Sequence, residues 1–323
     1  MATTGNPYRR SIVVSEETVA GTTDVTPTGY RLRCTSITER RSQDLIDIGA
    51  YRGDRRQGEP IPDTIDVGLS ITVPVYPDEF GWWLKWGIGA PATTGSGTFT
   101  HIYKAGYSGA SDGDIPGGLS IEVQYPDLDT PQYMMYLGCR VNTLSFSYNP
   151  SGGLFANIDL LARSASISGT PQDGTPTAYT SSPINQEDVT SVKEGGSANA
   201  ICRGGEFRVN NQIDGSVYYV GGLLKRGALP TGQVAVDGTT TFDFQDSTLI
   251  GKGTAGTESA LEIIWTQGSG VLTAEAVELL YLPTAPTEQG SALVLAYQWK
   301  AYEGNDADAT PLKVTLVNTV ATF

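Results

Sequence analysis

The chain is poor in the residues that carry most enzyme chemistry. It has one histidine, three cysteines and three methionines, and only 17% of its 323 residues are charged. The single imidazole, His101, excludes a centre built on several histidine ligands. A Ser–His–Asp triad would have to use it from the middle of an alternating segment with no supporting partners. A hydrogen-bonded strand histidine is the simpler expectation. Cys34, Cys139 and Cys202 are odd in number and widely spaced, with no CxxC. They imply neither a disulfide framework nor a zinc site, and favour a reducing place of assembly. No apolar run approaches the ~18 residues of a membrane span. The opening MATTGNPYRRS lacks the apolar stretch of a signal peptide, so no membrane insertion is expected. There is no Walker loop, HExxH or EF-hand loop, and no GxGxxG that leaves a strand and opens a helix. Asp112, Asp114, Asp127 and Asp129 are loosely clustered, but loop solvation explains them better than a glycosidase pair or a calcium loop. The expectation is a protein that is not an enzyme and holds no cofactor or metal.

Basic charge is also scarce. The formal net charge is −14, and it is uneven: residues 1–60 carry nine Arg against eight acids, while the remainder is strongly acidic. An acidic body argues against tight grip on nucleic-acid phosphates.

What is abundant is glycine (39) and proline (18), with many Thr, Ser, Val and Tyr. That composition suits many short strands joined by tight turns, so the fold class is all-β with one or two short helices. The clearest segment is Gly68–Gly89. Ile71, Val73 and Val75 alternate with polar residues, Asp78 stands where an N-cap belongs, and Phe80, Trp83, Leu84 and Trp86 follow at helical spacing before Gly87 and Gly89. Tyr30–Ile37, Phe99–Lys104 and Leu119–Tyr125 read as strands. Met134–Asn149 and Gly153–Gly169 read as a long hairpin about Asn149-Pro-Ser-Gly-Gly153.

Past a Pro/Gly/Ser-rich connection at 170–200, the order repeats. Cys202–Ile213 resembles the strand at 138–144, with Arg-Val-Asn in both. Gly232–Phe244 alternates like Asp66–Tyr76, and Asp246 follows it as Asp78 follows the first. A weak helix turn at Asp246–Gly253 comes next, then strands at Ala260–Thr266 and Ala276–Leu282. Leu293–Gly304 and Leu312–Thr319 are expected to close the chain as a second hairpin. The expected organisation is an N-terminal segment and first strand (1–37), an extended arm or loop (38–60), a first β domain (61–169), a linker (170–200) and a second, related domain (201–323). Within the arm, Arg40, Arg41, Arg52, Arg55 and Arg56 alternate with acids, a mixture that suits contact with an acidic neighbouring subunit better than phosphate binding. Trp82, Trp83 and Trp86 are expected in helix packing or at an interface.

The succession VPVYPDEFGWWLKWGIG, GTFTHIYKAG, GLSIEVQ and YLGCRVNTLSFSYNPSG resembles the major tail tube proteins of long, non-contractile bacteriophage tails. The resemblance implies tandem β-sandwich units whose sheets close into a β-barrel between subunits. Stacked rings would form a negatively charged channel through which double-stranded DNA passes into the host without specific binding. The ring is expected to hold three chains if the fold is duplicated, with six as the alternative. Implied partners are further copies of the chain, a tape-measure protein, a tail terminator and baseplate or distal tail proteins, in a virion assembled in the host cytoplasm. Asp159, Glu303 and Asp306 are candidate acids facing the channel. The competing readings are a carbohydrate-binding or adhesin module, and another virion subunit such as a terminator or decoration protein.

Overall fold

A computed structural model describes residues 5–49, 56–106, 115–304 and 308–323. The first half runs β1 (Ser11–Glu16), β2 (Tyr30–Leu32), β3 (Ser36–Ile46), β4 (Ile61–Pro74), α1 (Pro77–Gly87), β5 (Ala92–Ser96), β6 (Thr98–Lys104), β7 (Leu119–Tyr125), β8 (Gln132–Tyr148), β9 (Phe155–Ala162) and β10 (Ser164–Ser168). The second runs β11 (Thr177–Ala178), β12 (Val189–Glu194), β13 (Ser197–Ala198), β14 (Cys202–Asn210), β15 (Ala235–Asp243), α2 (Thr248–Ala255), β16 (Ser259–Gln267), β17 (Gly270–Tyr281), β18 (Thr287–Gln289), β19 (Ala292–Ala301) and β20 (Lys313–Asn318).

The same wiring occurs twice. In the first half β1 pairs with β7, β7 with β8, β8 with β10 and β9, β9 with β4, and β4 with β3. In the second, β12 pairs with β16, β16 with β17, β17 with β20 and β19, β19 with β15, and β15 with β14. Even the irregularities coincide. The first half has Leu119↔Cys139 and then Ile121↔Tyr136; the second has Ser259↔Leu279 and then Leu261↔Ala276. A bulge adds local twist and bend, which lets one long strand serve two sheets. The amino-terminal part of β8 therefore lies between β7 and β10, and its carboxy-terminal part beside β9. At this bend Gly138 has φ +62°, and a Cβ there would strike the Arg163 side chain.

Two pairings stitch the halves together. β14 lies against the carboxy-terminal part of β8 (Gly205↔Tyr148 to Asn210↔Thr143), and β20 lies against β6 (Lys313↔Lys104 to Asn318↔Phe99). A continuous sheet results, in the order β3-β4-β9-β8-β14-β15-β19-β17. Within one chain it is open, not a closed barrel. One core serves both halves: Phe146 on β8 touches both Phe207 on β14 and Trp265 on β16.

α1 lies inside that core. Phe80 meets Phe146, Gly87 lies against Leu144 and Val141, and Tyr103 on β6 donates its hydroxyl to Gly81 O. Nearly every residue of the helix is buried, including Trp82 (5% exposed), Trp83 (2%) and Trp86 (1%). Even Glu79 is buried. Burial raises its pKa, and Arg33 opposes the shift through its backbone N–H at 2.8 Å and its Nε at 2.5 Å.

Three sequence expectations need correction. The N-cap of α1 is Tyr76, not Asp78, because Pro77 occupies the first helical position, where its missing N–H costs nothing. Asp78 still places negative charge in the first turn. Second, β19 and β20 do not form a hairpin: β20 lies between β17 and β6. Third, Cys202–Ile213 is not the counterpart of the strand at 138–144: in the repeated wiring β14 beside β15 matches β3 beside β4. Residues 38–46 of the expected arm or loop belong to β3, which pairs with β4 out to Ile46↔Ile61. The connecting stretch at 170–200 is anchored, with Ile184 buried and its N–H donated to Val75 O.

Candidate functional site

The long sheet has two unlike faces. Val67, Leu69, Ile71 and Val73 of β4 point into the core, and Asp66, Gly68, Ser70 and Thr72 point away. Register carries the second set across the sheet. Ser70 lies beside Asp159 and Thr72 beside Asn157, Arg208 lies between Ser145 and Asp237, and Asp237 also faces Lys300. The outward face is thus rich in hydroxyls and amides, with acids and bases placed as cross-strand neighbours.

Arg40 and Asp159, to which the sequence assigns different roles, meet on this face. Arg40 Nη1 is 3.9 Å from Asp159 and Arg40 Nε 3.7 Å from Asp66, although the strand β4 lies between β3 and β9. The route passes over Gly68, where a Cβ would lie 2.5 Å from the guanidinium. Asp66 is also paired with Arg226, a buried side chain whose Nη1 donates to Val67 O at 2.6 Å and Ala162 O at 2.9 Å. Burial raises the pKa of Asp159, and Arg40 only partly offsets that. Glu303 is exposed beyond the end of β19, off the sheet. Asp306 lies outside the described residues.

The arm is a β-ribbon with an anchored base. Ile37 is buried, and Glu39 accepts hydrogen bonds from Tyr136 at 2.6 Å and from Tyr125, whose pKa is pushed up to about 12 by burial and by that carboxylate. From Arg40 outward every described residue of β3 is exposed, Arg41 included. Arg56 is exposed in the approach to β4, and Arg52 and Arg55 lie outside the described residues. Reading the arm for its arginines misses the apolar character of the tip: Leu45, Ile46, Ile48 and Ile61 are all exposed. The signal is present in the run Leu45-Ile-Asp-Ile48. An isolated two-stranded ribbon is marginal in water, and clustered exposed aliphatics mark a contact surface.

Other candidates resolve into structure. His101 is buried in β6. Its Nδ1 accepts from Thr93 Oγ1 (2.8 Å), and its Nε2–H donates to Val320 O (2.9 Å). That is the neutral tautomer, and burial accordingly lowers its pKa. All three helix tryptophans are buried within the chain, which leaves them no part in an aromatic platform for a sugar. Asp127 accepts the Asn6 N–H at 2.6 Å, and Asp112 and Asp114 lie outside the described residues. Among the described residues no group of three or more His, Cys, Asp or Glu is placed to hold a metal ion, and no helix is long and apolar enough to cross a membrane.

The candidate site is therefore a surface: one polar sheet face, a projecting ribbon with an apolar tip, and two sheet edges. Among the described residues, the outer edge of β3 and the edge of β17 beyond Leu279 have no strand partner. Open edges of this kind invite pairing with another chain. No curated protein matches the chain. A family model described as phage tail tube protein matches residues 8–301, nearly the whole chain, and the protein belongs to that family of structural virion components.

Proposed function

We propose that this chain assembles into rings that stack to form the tube of a long, non-contractile phage tail, with the polar sheet face lining the channel for double-stranded DNA. The observation that carries this reading is the eight-strand sheet left open at both ends in a member of a tail tube family. Closing the ends between chains would remove every edge.

The repeated wiring supports a duplicated tail-tube unit, with four strands of the long sheet from each half. Three chains would then supply six units. At about 4.8 Å between strands and a 35–45° tilt, six four-strand units close a barrel roughly 45–50 Å across at the backbone. The channel face suits passage and not grip. Arg40, Arg208 and Lys300 are set beside Asp66, Asp159 and Asp237, leaving no cluster of bases among the described residues of this face to hold phosphates. The arm, with its apolar tip, reaches between stacked rings. Tape-measure, terminator and distal tail proteins would engage the ends of the tube, and assembly would take place in the host cytoplasm.

Negative-stain microscopy of the purified protein tests this. Stacked rings or open tubes with a central channel are expected, built from three chains per ring by sedimentation of the separated rings. Persistent monomers at high concentration would overturn the assembly reading. Replacing residues 44–64 by a four-residue Gly/Asn/Ser loop keeps the Gln43↔Ile65 pair and removes the apolar tip. Rings should survive that change and tubes should not; tubes that grow unchanged would remove the arm from ring stacking.

A further inference from the structure

The junction between the two halves of one chain is a template for the junction between chains. Inside the chain β14 lies on the edge of β8, and Asn211, the next residue, plugs the place where that edge meets the end of α1. Its Nδ2 donates to Gly87 O and Val141 O, both at 2.9 Å, and the side chain is buried. The matched pairings identify the counterparts. Ser36↔Thr72 corresponds to Gly204↔Thr241, so β3 stands where β14 stands, and Gln43, opposite Ile65, stands where Asn211 stands. On the other side, Leu160↔Val141 corresponds to Trp299↔Tyr281, so the end of β17 and the residues after it stand where the carboxy-terminal part of β8 stands.

At that second position the groove is open. A cavity of about 630 Å³ runs between the end of α2 (Gly253, Gly256) and Tyr281, Leu282 and Pro283. Leu280 and Leu282 are each 39% exposed beside it. Leu282 N–H donates to Gln298 O, so alternation turns the backbone of Tyr281 and Pro283 toward the open side. Within the chain, the groove that Asn211 fills in the first half has no such filler in the second among the described residues.

We propose that β3 of a second copy of this chain occupies this groove, with Ser42 opposite Leu282 as Asn210 is opposite Thr143, and with Gln43 turning its amide from Asp63 O, 2.8 Å away in its own chain, to the carbonyls that line the groove. This names the contact through which the ring reading above would operate, and it rests on that reading. The contact differs from its template in one respect. Pro283 takes the place of Leu144 and offers no N–H, so the joint between chains has one hydrogen bond fewer than the joint within a chain. The occupant is a copy and not an unrelated strand, because the edge that fits the groove is the chain's own β3, whose relative β14 already makes the contact.

A disulfide test decides it. Ser42→Cys with Leu282→Cys places two thiols at a cross-strand position whose spacing suits a disulfide. Asn210→Cys with Thr143→Cys, the template pair, serves as the intramolecular control. Oxidation of the first variant should give a covalent closed trimer on a non-reducing gel, and wild-type protein with its own cysteines should not. Gln43→Ala should leave the melting of the isolated chain unchanged and raise the concentration needed for ring formation by about tenfold, and Pro283→Val should lower it by about fivefold. If rings form but positions 42 and 282 do not cross-link, while the control closes, another edge joins the chains and this proposal falls with the ring reading intact. If neither rings nor cross-links form at high concentration, both fall.

Discussion

The two halves share one wiring diagram and fill it with different side chains. In the first, Leu69 on β4 faces Leu160 on β9; at the matching place in the second, Gly238 on β15 faces Trp299 on β19. Two medium side chains have been exchanged for none and one very large one, and the volume between strands is kept. The helices diverge further. α1 is buried on nearly every side, whereas α2 buries only Leu249 and Gly253. Their starts differ too: Asp246 accepts the Thr248 N–H at 2.8 Å, whereas Tyr76 caps α1 without a side-chain bond. Pairing pattern is thus the invariant of the fold, and core packing is the variable. The first half holds the helix around which both sheets pack, and the second leaves its helix at the surface beside an open groove.

The largest test of that contrast is truncation. Trp83→Ala should cost about 3–5 kcal/mol by urea denaturation, because the ring is buried in the shared core against Trp86. Leu249→Ala should cost roughly 1–2 kcal/mol, since its partner surface is thin. Equal losses would mean that α2 bears as much of the core as α1.

A smaller effect probes the exchange of volumes. A Cβ at Gly238 would collide with both the Trp299 ring and Glu206 O. Gly238→Ala should therefore cost about 2–3 kcal/mol. In a Trp299→Leu background the added cost should fall by about half, because the ring obstacle is gone and the carbonyl remains. If the added cost disappears there, the ring alone excludes a side chain; if it is unchanged, the carbonyl does.

The smallest comparison concerns two aspartates with opposite shifts. A hydrogen bond from Lys313 holds the Asp308 carboxyl below its ordinary value, with Lys104 assisting. Its contribution is complete above the unfolded carboxyl pKa and is lost as pH falls through the lowered native one. Burial raises Asp159, so its charge costs stability at neutral pH, a cost relieved as pH falls through its raised value. At pH 7 Asp308→Asn should destabilise by less than about 1 kcal/mol, and Asp159→Asn should be neutral or slightly stabilising. On acidification Asp159→Asn should rejoin the wild type at a higher pH than Asp308→Asn does. Rejoining in the reverse order in thermal melts would sink this assignment.

Elements with strong alternation were legible in the sequence. β4, β7, β8, β15 and β16 declare themselves by apolar residues at strand spacing, and α1 by its cluster of tryptophans between Pro77 and Gly87. Partners were less legible than strands. Leu293–Gly304 and Leu312–Thr319 look like neighbours because hairpins are the commonest link between consecutive strands. β20 instead passes to β17 and β6, where its apolar face helps to cover α1. The meeting of Arg40 with Asp159 was invisible for another reason. It depends on the absent side chain of Gly68, which lies on the strand between them and in neither residue's own segment. The open groove beside Tyr281 could be recognised only after the repeat had been matched pair by pair.

The pairing of β20 with β6 has a consequence for the order of folding. Asn318 lies beside Phe99 and Lys313 beside Lys104, and most of the chain separates these partners. Contacts so distant in sequence are slow to form, because a long loop must close before they repay its entropy. During synthesis β6 leaves the ribosome long before β20 exists, with only β5 at its side. For that interval it is an unguarded template for other nascent chains. The strand that finally covers it also brings Asn318 and Val320 to His101, so the hydrogen bonds of the one imidazole Nε2 report the docking of β20 on β6.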